Sequence, residues 1–317
     1  MTETSKLYDH GQAGSLPLDF DDEVRPSHAR VRVLQDGNAP NALSCFFEKG
    51  AQDSCIVVGD SRKVLAQMPS GSFQTCITSP PYWSLRDYSI DGQIGLELSF
   101  PDYIRSLVEV FEEVRRVLRD DGTFWLNIGD SYTSGGRTWR APDKKNAGRA
   151  MDIRPPTPEG LKPKDLIGVP WKLAFALQEA GWFLRADCIW NKPNCQPESV
   201  KDRPTRCHEY VFLFTKSERY LYDNRAMRGP NHRNLRTVWD INTQPYNEAH
   251  FATYPPALIE PCIALGSQPG DLILDPFIGS GTTGLVALQM NRRFVGIELN
   301  PSYVAVAERR LNGAAVP

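Results

Sequence analysis

The sequence predicts an α/β domain on a mostly parallel, doubly wound sheet, with basic loops inserted into it. Three observations predict this. Short apolar runs alternate with stretches of helical periodicity. The runs are apolar at nearly every position, as strands covered on both faces must be. A glycine-rich turn, Gly279-Ser-Gly-Thr-Thr-Gly284, joins one run to a helical stretch, the junction a strand–turn–helix unit requires.

Residues 1–52 lack periodicity and cluster acids at Asp19, Asp21, Asp22 and Glu23, which marks an N-terminal extension. The domain is expected from residue 53 to 317. Cys55 to Val58 reads as a buried strand ending at Gly59-Asp60, and Ser61 as the cap of a helix reaching Met68. Phe73 to Thr78 is the next strand. Between Pro101 and Arg119 the apolar residues fall at 104, 107, 108, 111, 114, 117 and 118, one face of a helix. Asp120-Asp121-Gly122 is expected to stop that helix, and Thr123 to Ile128 to form a buried strand.

Residues 132–164 are rich in Gly, Pro, Lys and Arg and have no period; so long a gap in a compact domain points to function. A helix over 165–180 ends at Gly181 and precedes strands at Leu184 to Trp190 and Tyr210 to Phe214. Segments 192–209 and 223–249 read as irregular. The last third is regular: a helix from Pro256 to Leu265, a strand from Asp271 to Asp275, a helix over 282–290, a strand from Arg293 to Glu298 and a helix from Pro301 to Leu311. There is no internal repeat.

Composition narrows the function classes. The chain has 317 residues, 41% hydrophobic and 23% charged, the balance of a globular protein. No apolar run approaches the ~18 residues of a membrane span, and the N-terminus lacks the pattern of a signal peptide. A cytoplasmic location is expected. The seven cysteines are scattered without a Cys-x-x-Cys pair. Cys195, Cys207 and His208 lack a fourth ligand, so no metal site is expected. The net charge of −2 conceals two basic segments, each with five more positive than negative residues: Tyr132 to Lys172 and Lys192 to Arg236. Basic segments on an acidic remainder fit either a polyanion surface or two solvated loops.

Gly279 to Gly284 also matches the Gly-x-Gly-x-x-Gly nucleotide fingerprint, with Glu298 one β-α-β unit later, where a carboxylate that accepts from ribose hydroxyls belongs. The turn leaves the nucleotide open, and a nicotinamide-dependent oxidoreductase fits it too. Asp275-Pro276-Phe277 sets an acid at the turn, poorly suited to a pyrophosphate and suited to a cationic amine. No Gly-Lys-Ser/Thr follows, which excludes a P-loop.

A second turn is more telling. Thr78-Ser-Pro-Pro-Tyr-Trp83 follows a strand, at the end of a parallel sheet where ligands sit. Prolines fix φ and remove N–H donors, so Ser79, Pro80 and Pro81 present carbonyl oxygens beside the serine hydroxyl. Tyr82 and Trp83 add flat apolar faces. The ligand this suits is a planar ring bearing an amino group.

TSPPYW and DPFIGSGTTG together resemble the S-adenosylmethionine-dependent DNA methyltransferases that act on exocyclic amino groups. The serine form of the Pro-Pro turn is typical of the N4-cytosine enzymes. The cofactor turn follows the catalytic turn, as in the permuted β group of that family. The resemblance covers roughly residues 53–312 and extends to LRDY (85–88), DDGTFWLNIGDSY (120–132), RADCIWNKPN (185–194), HEYVFLFTK (208–216) and FATYPPALIEPCI (251–263).

The resemblance implies a Rossmann-like methyltransferase fold with a catalytic half at 53–192, a target recognition region at 193–249 and a cofactor half at 250–312. Ser79, Pro80, Pro81 and Tyr82 would receive the target base. Asp275, Pro276, Phe277, Gly279, Ser280, Gly281, Thr282 and Thr283 would cradle the cofactor, Glu298 and Asn300 its ribose, and Asp60 would lie near its adenine. Phe251, Ala252, Thr253 and Tyr254 would form the far wall. His250 and Asp130 are neighbours in this scheme, catalytic or structural. Trp83, Lys144, Lys145, Arg203, Arg206, Arg233 and Arg236 are candidate DNA contacts. The partners implied are double-stranded DNA, with the target cytosine flipped out, a second copy of the chain and a cognate restriction endonuclease. N6-adenine methylation by the same machinery is the alternative. A C5-cytosine mechanism would need a nucleophilic cysteine, and Cys262, in an apolar helix, reads as a core thiol.

Overall fold

The computed structural model describes residues 31–35, 39–48, 50, 53–88, 90–133, 139, 155–229, 233–244 and 254–313. Among them nine strands form one sheet: β1 (Val31–Gln35), β2 (Ser54–Val58), β3 (Phe73–Thr78), β4 (Leu118–Ile128), β5 (Phe183–Asn191), β6 (His208–Thr215), β7 (Val238–Asp240), β8 (Leu272–Asp275) and β9 (Arg293–Glu298). Their order across the sheet is β1-β2-β9-β8-β3-β4-β6-β5-β7. Pairing is parallel except where β6 meets β4 and β5. The expected mostly parallel sheet is therefore present, with β6 as its one reversed strand among the described residues.

Helices cover both faces, as alternation along the strands requires. Cys55, Val57, Phe124, Leu126, Leu274, Val295 and Ile297 face one core with Leu43, Val64, Leu107, Val110 and Leu173. These come from α1 (Ala39–Glu48), α2 (Ser61–Leu65), α3 (Phe100–Val117) and α4 (Val169–Glu179). Ile56, Val58, Trp125, Ile273 and Phe294 face a second core with Leu258, Ile263, Val286, Ala287 and Val304. Those belong to α5 (Pro256–Gly266), α6 (Thr282–Gln289) and α7 (Pro301–Leu311).

Several boundaries differ from the sequence reading. The sheet begins inside the expected extension: β1 pairs in register with β2 from Val31↔Ser54 to Gln35↔Val58. Asp60, not Ser61, caps α2, accepting from the Arg62 backbone N–H, while the Ser61 hydroxyl donates to the Pro276 carbonyl at 2.5 Å. Asp120-Asp121-Gly122 does not end α3. The helix stops at Val117 because Leu118 turns extended, and the three residues enter β4 as an irregularity that moves the β3–β4 register from Phe73↔Leu118 to Thr75↔Thr123. The segment 223–249 contains β7, which the sequence does not separate from loop.

This topology brings several chain ends to one rim. The carboxyl ends of β2, β9, β8, β3 and β4 lie together, carrying Asp60, Glu298, Asp275, Thr78 and Asp130 on or just after them. Because β6 is reversed, its first residues, His208 and Glu209, reach the same rim: Tyr210 pairs with Ile128 at the end of β4.

Candidate active site

Asp275, at the end of β8, is a hub rather than a free ligand. It is 1% exposed. One carboxylate oxygen accepts from the Thr78 hydroxyl at 2.6 Å and the Phe277 backbone N–H at 3.0 Å. The other accepts from Thr283 at 2.6 Å and Tyr254 at 2.9 Å. Burial pushes its pKa up, and these donors pull it back. Four donors occupy both oxygens, so the expected pairing with a ligand's amine gives way to an internal role. Asp275 ties the last residue of β3 to the glycine turn and to Tyr254.

The glycine turn follows as its residues dictate. Gly279 and Gly281 have φ of 52° and 83°, the left-handed region that side-chain-free residues occupy without strain. Glu298, half-buried at the end of β9, accepts from the Gly279 N–H at 3.0 Å and the Asn300 N–H at 2.8 Å. Burial raises its carboxyl to about 7 against those two bonds. Asn300 caps α7 by accepting from Ser302 N–H. Ser280 and Thr282 are engaged from α7, their oxygens accepting from Arg310. Phe277 packs edge-on to Phe111, and Asp60 is held by Arg62 at 2.8 Å.

The double-proline turn sits on the adjacent strand. Pro80 is buried and Ser79, Pro81 and Tyr82 are half-buried. The Pro81 carbonyl is taken by the Tyr103 hydroxyl at 2.9 Å, which pins the turn to α3. The Ser79 hydroxyl donates to the Tyr82 oxygen at 3.4 Å, and Tyr82 donates to Glu209 at 2.8 Å. Glu209 also accepts from Asn127 at 3.2 Å and is ion-paired with Lys192, whose ammonium lies 4.1 Å from the Trp190 ring centre. Burial, then the Glu209 charge, pushes the Tyr82 phenol well above its ordinary pKa, so it stays protonated. Sequence reasoning misses Glu209, Lys192 and Asn127; the available signal is a lone acid heading the apolar run of β6.

The placement of Trp83 corrects the sequence reading. It does not face the rim: it is 6% exposed, its indole N–H donates to the Glu97 carbonyl, and its ring packs edge-on to Phe100. Ser84, at φ 53°, reverses the chain immediately after it. Among the candidate DNA contacts, Arg203 pairs with Glu198 at 2.6 Å and lies over Tyr132, and Arg206 lies 3.7 Å from Asp130. Arg233 and Arg236 are exposed beside β7. Asp130 accepts from the N–H groups of Gly168 and Val169 at the start of α4, a structural part. Cys262 is buried in α5 with its thiol raised well above its usual pKa, first by burial, the state of an unreactive core thiol. Lys144, Lys145, His250, Phe251, Ala252 and Thr253 lie outside the described residues. Among the described residues there is no cluster of metal-ligating side chains.

Comparison with known proteins places this geometry. A family model described as DNA methylase matches residues 73–309. The type II methyltransferase M.XycI of Xanthomonas campestris pv. cyanopsidis is 61% identical over 264 residues, covering 82% of this chain and 88% of that one. M.SmaI of Serratia marcescens is 60% identical over 271 residues, covering 84% and 93%. Among solved structures, the cytosine-N4-specific PvuII DNA methyltransferase aligns with a TM-score of 0.62 at 24% identity, over 82% of this chain and 87% of its own. A DNA modification methylase of Thermus thermophilus, complexed with S-adenosyl-L-methionine, aligns at 0.57 and 26%, over 81% and 96%. Two turns at neighbouring strand ends, joined through one buried carboxylate and matched across most of the chain by these relatives, make this protein a member of the N6/N4 DNA methylase family.

Proposed function

We infer that this DNA methyltransferase transfers the methyl group of S-adenosylmethionine to the exocyclic N4 of a cytosine flipped out of duplex DNA. The observation that carries this reading is the Thr78–Asp275 bond. It sets an acceptor-rich turn beside a glycine turn on adjacent strands, which supports an amine and a nucleoside cofactor binding side by side.

The residues present fit the cofactor. The bare backbone of the glycine turn admits a ligand closely, and the Glu298 carboxylate stands where ribose hydroxyls donate. When bound, S-adenosylmethionine supplies an electrophilic methyl on sulfonium. The chain does the rest. Ser79 Oγ and the Pro80 carbonyl accept the two amine hydrogens, which draws the nitrogen lone pair out of ring conjugation and aims it. Orientation supplies much of the rate, and the acceptors stabilise positive charge growing on nitrogen. A base inside a duplex cannot reach this turn, so it must unstack, at a cost of roughly a few kcal/mol. Exposed Arg233 and Arg236 supply phosphate contacts that offset it.

The test is nucleoside mass spectrometry of unmethylated duplex DNA incubated with enzyme and S-adenosylmethionine. N4-methylcytosine is expected. N6-methyladenine would overturn the base assignment while keeping the turn's chemistry, and no methylated base on DNA of diverse sequence would overturn the reading.

Two further outcomes follow from the geometry. A Cβ on Gly129 would lie 2.9 Å from a Tyr82 ring carbon and 3.2 Å from the Glu209 carboxyl carbon. Gly129→Ala is expected to displace Tyr82 and slow methyl transfer by about 10- to 100-fold, with calorimetric cofactor affinity kept. Glu298, raised from 4.5 to about 7, must be ionised to accept from the ribose. Affinity is expected to fall about tenfold per pH step below that value, and Glu298→Gln to flatten the profile. The sign for stability is opposite. The folded form holds the proton more tightly, so this group's stabilising contribution is complete below pH 4.5 and is lost as pH rises to about 7.

A further inference from the structure

Methylating an exocyclic amine leaves one proton too many on nitrogen, and the rim contains a directed path for it. Ser79 Oγ donates to Tyr82 Oη at 3.4 Å, and Tyr82 Oη donates to Glu209 Oε2 at 2.8 Å. Both donors point the same way, from the amine's acceptor toward a carboxylate. The path ends on an anion that the reversal of β6 supplies: it brings that strand's second residue to the rim of an otherwise parallel sheet.

We propose that Glu209 is the terminal proton acceptor of the methyl transfer, reached from the substrate amine through Ser79 and Tyr82. This rests on the amine-methylation reading above. As the nitrogen–methyl bond forms, the sulfur–methyl bond breaks with its electron pair going to sulfur. The nitrogen then releases one hydrogen to Ser79 Oγ, Ser79 passes its own to Tyr82 Oη, and Tyr82 passes its own to Glu209. The hydroxyls end as they began, the methylated amine is neutral, and the carboxylate has become a carboxylic acid. A protonated aromatic amine is a strong acid, so a carboxylate is ample as acceptor. The path needs no water or external base.

The surroundings fit an acceptor that must start ionised. Lys192, just after the end of β5, pairs with Glu209 and is itself held over Trp190. Asn127, from β4, donates to the same oxygen as Tyr82, and Gly129 leaves room for the tyrosine ring. His208 is the neighbouring titratable group on β6; its pKa is lowered by burial first and then by Arg206, with Glu209, Lys192 and Asp130 also acting on it. Arg206 and Asp130 form the next charged pair outward.

Glu209 touches the reacting nitrogen only through other residues, so the test must separate proton transfer from positioning. Glu209→Gln keeps an oxygen for Tyr82 to donate to and removes the basicity. Wild-type product formation is established first by mass spectrometry; if the wild type methylates nothing, it is the amine-methylation reading that fails. Single-turnover rates on duplex DNA are then followed across pH at S-adenosylmethionine concentrations that saturate the enzyme at every pH, so that the Glu298 dependence does not enter. A step that ends in proton uptake by a base is expected to lose rate toward low pH in the wild type. Glu209→Gln is expected to be slower by about 100-fold and to lose that acid limb, with cofactor affinity retained. Tyr82→Phe cuts the same path from the other side, and the double variant is expected to be no slower than the slower single. A protonated-carboxyl stretch should appear in time-resolved infrared spectra of the wild type and be missing in Glu209→Gln. A wild-type rate in Glu209→Gln would overturn the proposal. So would a slowed variant that keeps the acid limb, because that marks positioning alone. Should Glu209→Gln fail to fold, Tyr82→Phe carries the test: retention of the acid limb and the infrared signal there overturns the relay.

Discussion

Replacing Ser79 with alanine is expected to slow single-turnover methyl transfer by about 100- to 1,000-fold while leaving S-adenosylmethionine affinity and the unfolding midpoint unchanged. The serine oxygen is half-buried at the turn, and its one hydrogen points to Tyr82. Its lone pairs remain for the substrate amine. Alanine keeps the backbone, because the turn is pinned elsewhere: by Tyr103 on the Pro81 carbonyl and by Thr78 on Asp275. The change therefore removes one acceptor and the head of the proton path together. Rapid-quench measurement of methylated DNA reads the rate, and calorimetry reads the cofactor. A variant that turns over at the wild-type rate would take Ser79 out of the chemistry.

The second large effect is at Asp275. Asp275→Ala leaves three hydroxyls and a backbone N–H without their acceptor in a fully buried place. A loss of roughly 3–5 kcal/mol of stability is expected, with calorimetric cofactor binding abolished because the turns are no longer tied. Asp275→Asn separates geometry from charge. Its amide oxygen can face Thr78 and Phe277, and its nitrogen can face the Tyr254 and Thr283 hydroxyls, which can accept. The Phe277 N–H cannot, which fixes that orientation. The asparagine variant should lose about half as much stability as the alanine variant, or less. Equal losses in urea unfolding would show that the charge, not the bond pattern, holds the hub.

How far the sequence carries depends on how local each signal is. β3 and β9 match their expected bounds because each is a continuous buried run. β1 escapes for the opposite reason: it is an edge strand with only Val31 buried, and its burial pattern has no clear period. β7 has three residues and one buried side chain, Trp239. The Asp-Asp-Gly stop signal misleads because β4 pairs with β3 on either side of those residues, at Leu118 and from Thr123, and carries them as an irregularity. The same division runs through the site. Both turns are legible, since strand, turn and proline chemistry are contiguous. What holds them is not: Thr78 and Asp275 are 197 positions apart, and Tyr82 and Glu209 are 127 apart. The sequence offers Asp275 to a ligand because two of its four donors, Thr78 and Tyr254, lie outside its own segment. It offers Trp83 to DNA because nothing nearby reveals the reversal at Ser84.

The order of strands also sets a timetable. In the finished sheet β9 and β8 lie between β2 and β3, yet among the described strands they come last along the chain. Until residue 298 has emerged, β1–β2 and β3-β4-β6-β5 are two separate halves with open inner edges. Neither the β3–β8 ladder nor the Asp275 hub can exist, and distant pairings of this kind are slow to close. A nascent chain is therefore expected to lack methyl transfer until β8 and β9 have slotted in, and until then its two open edges are exposed to mispairing.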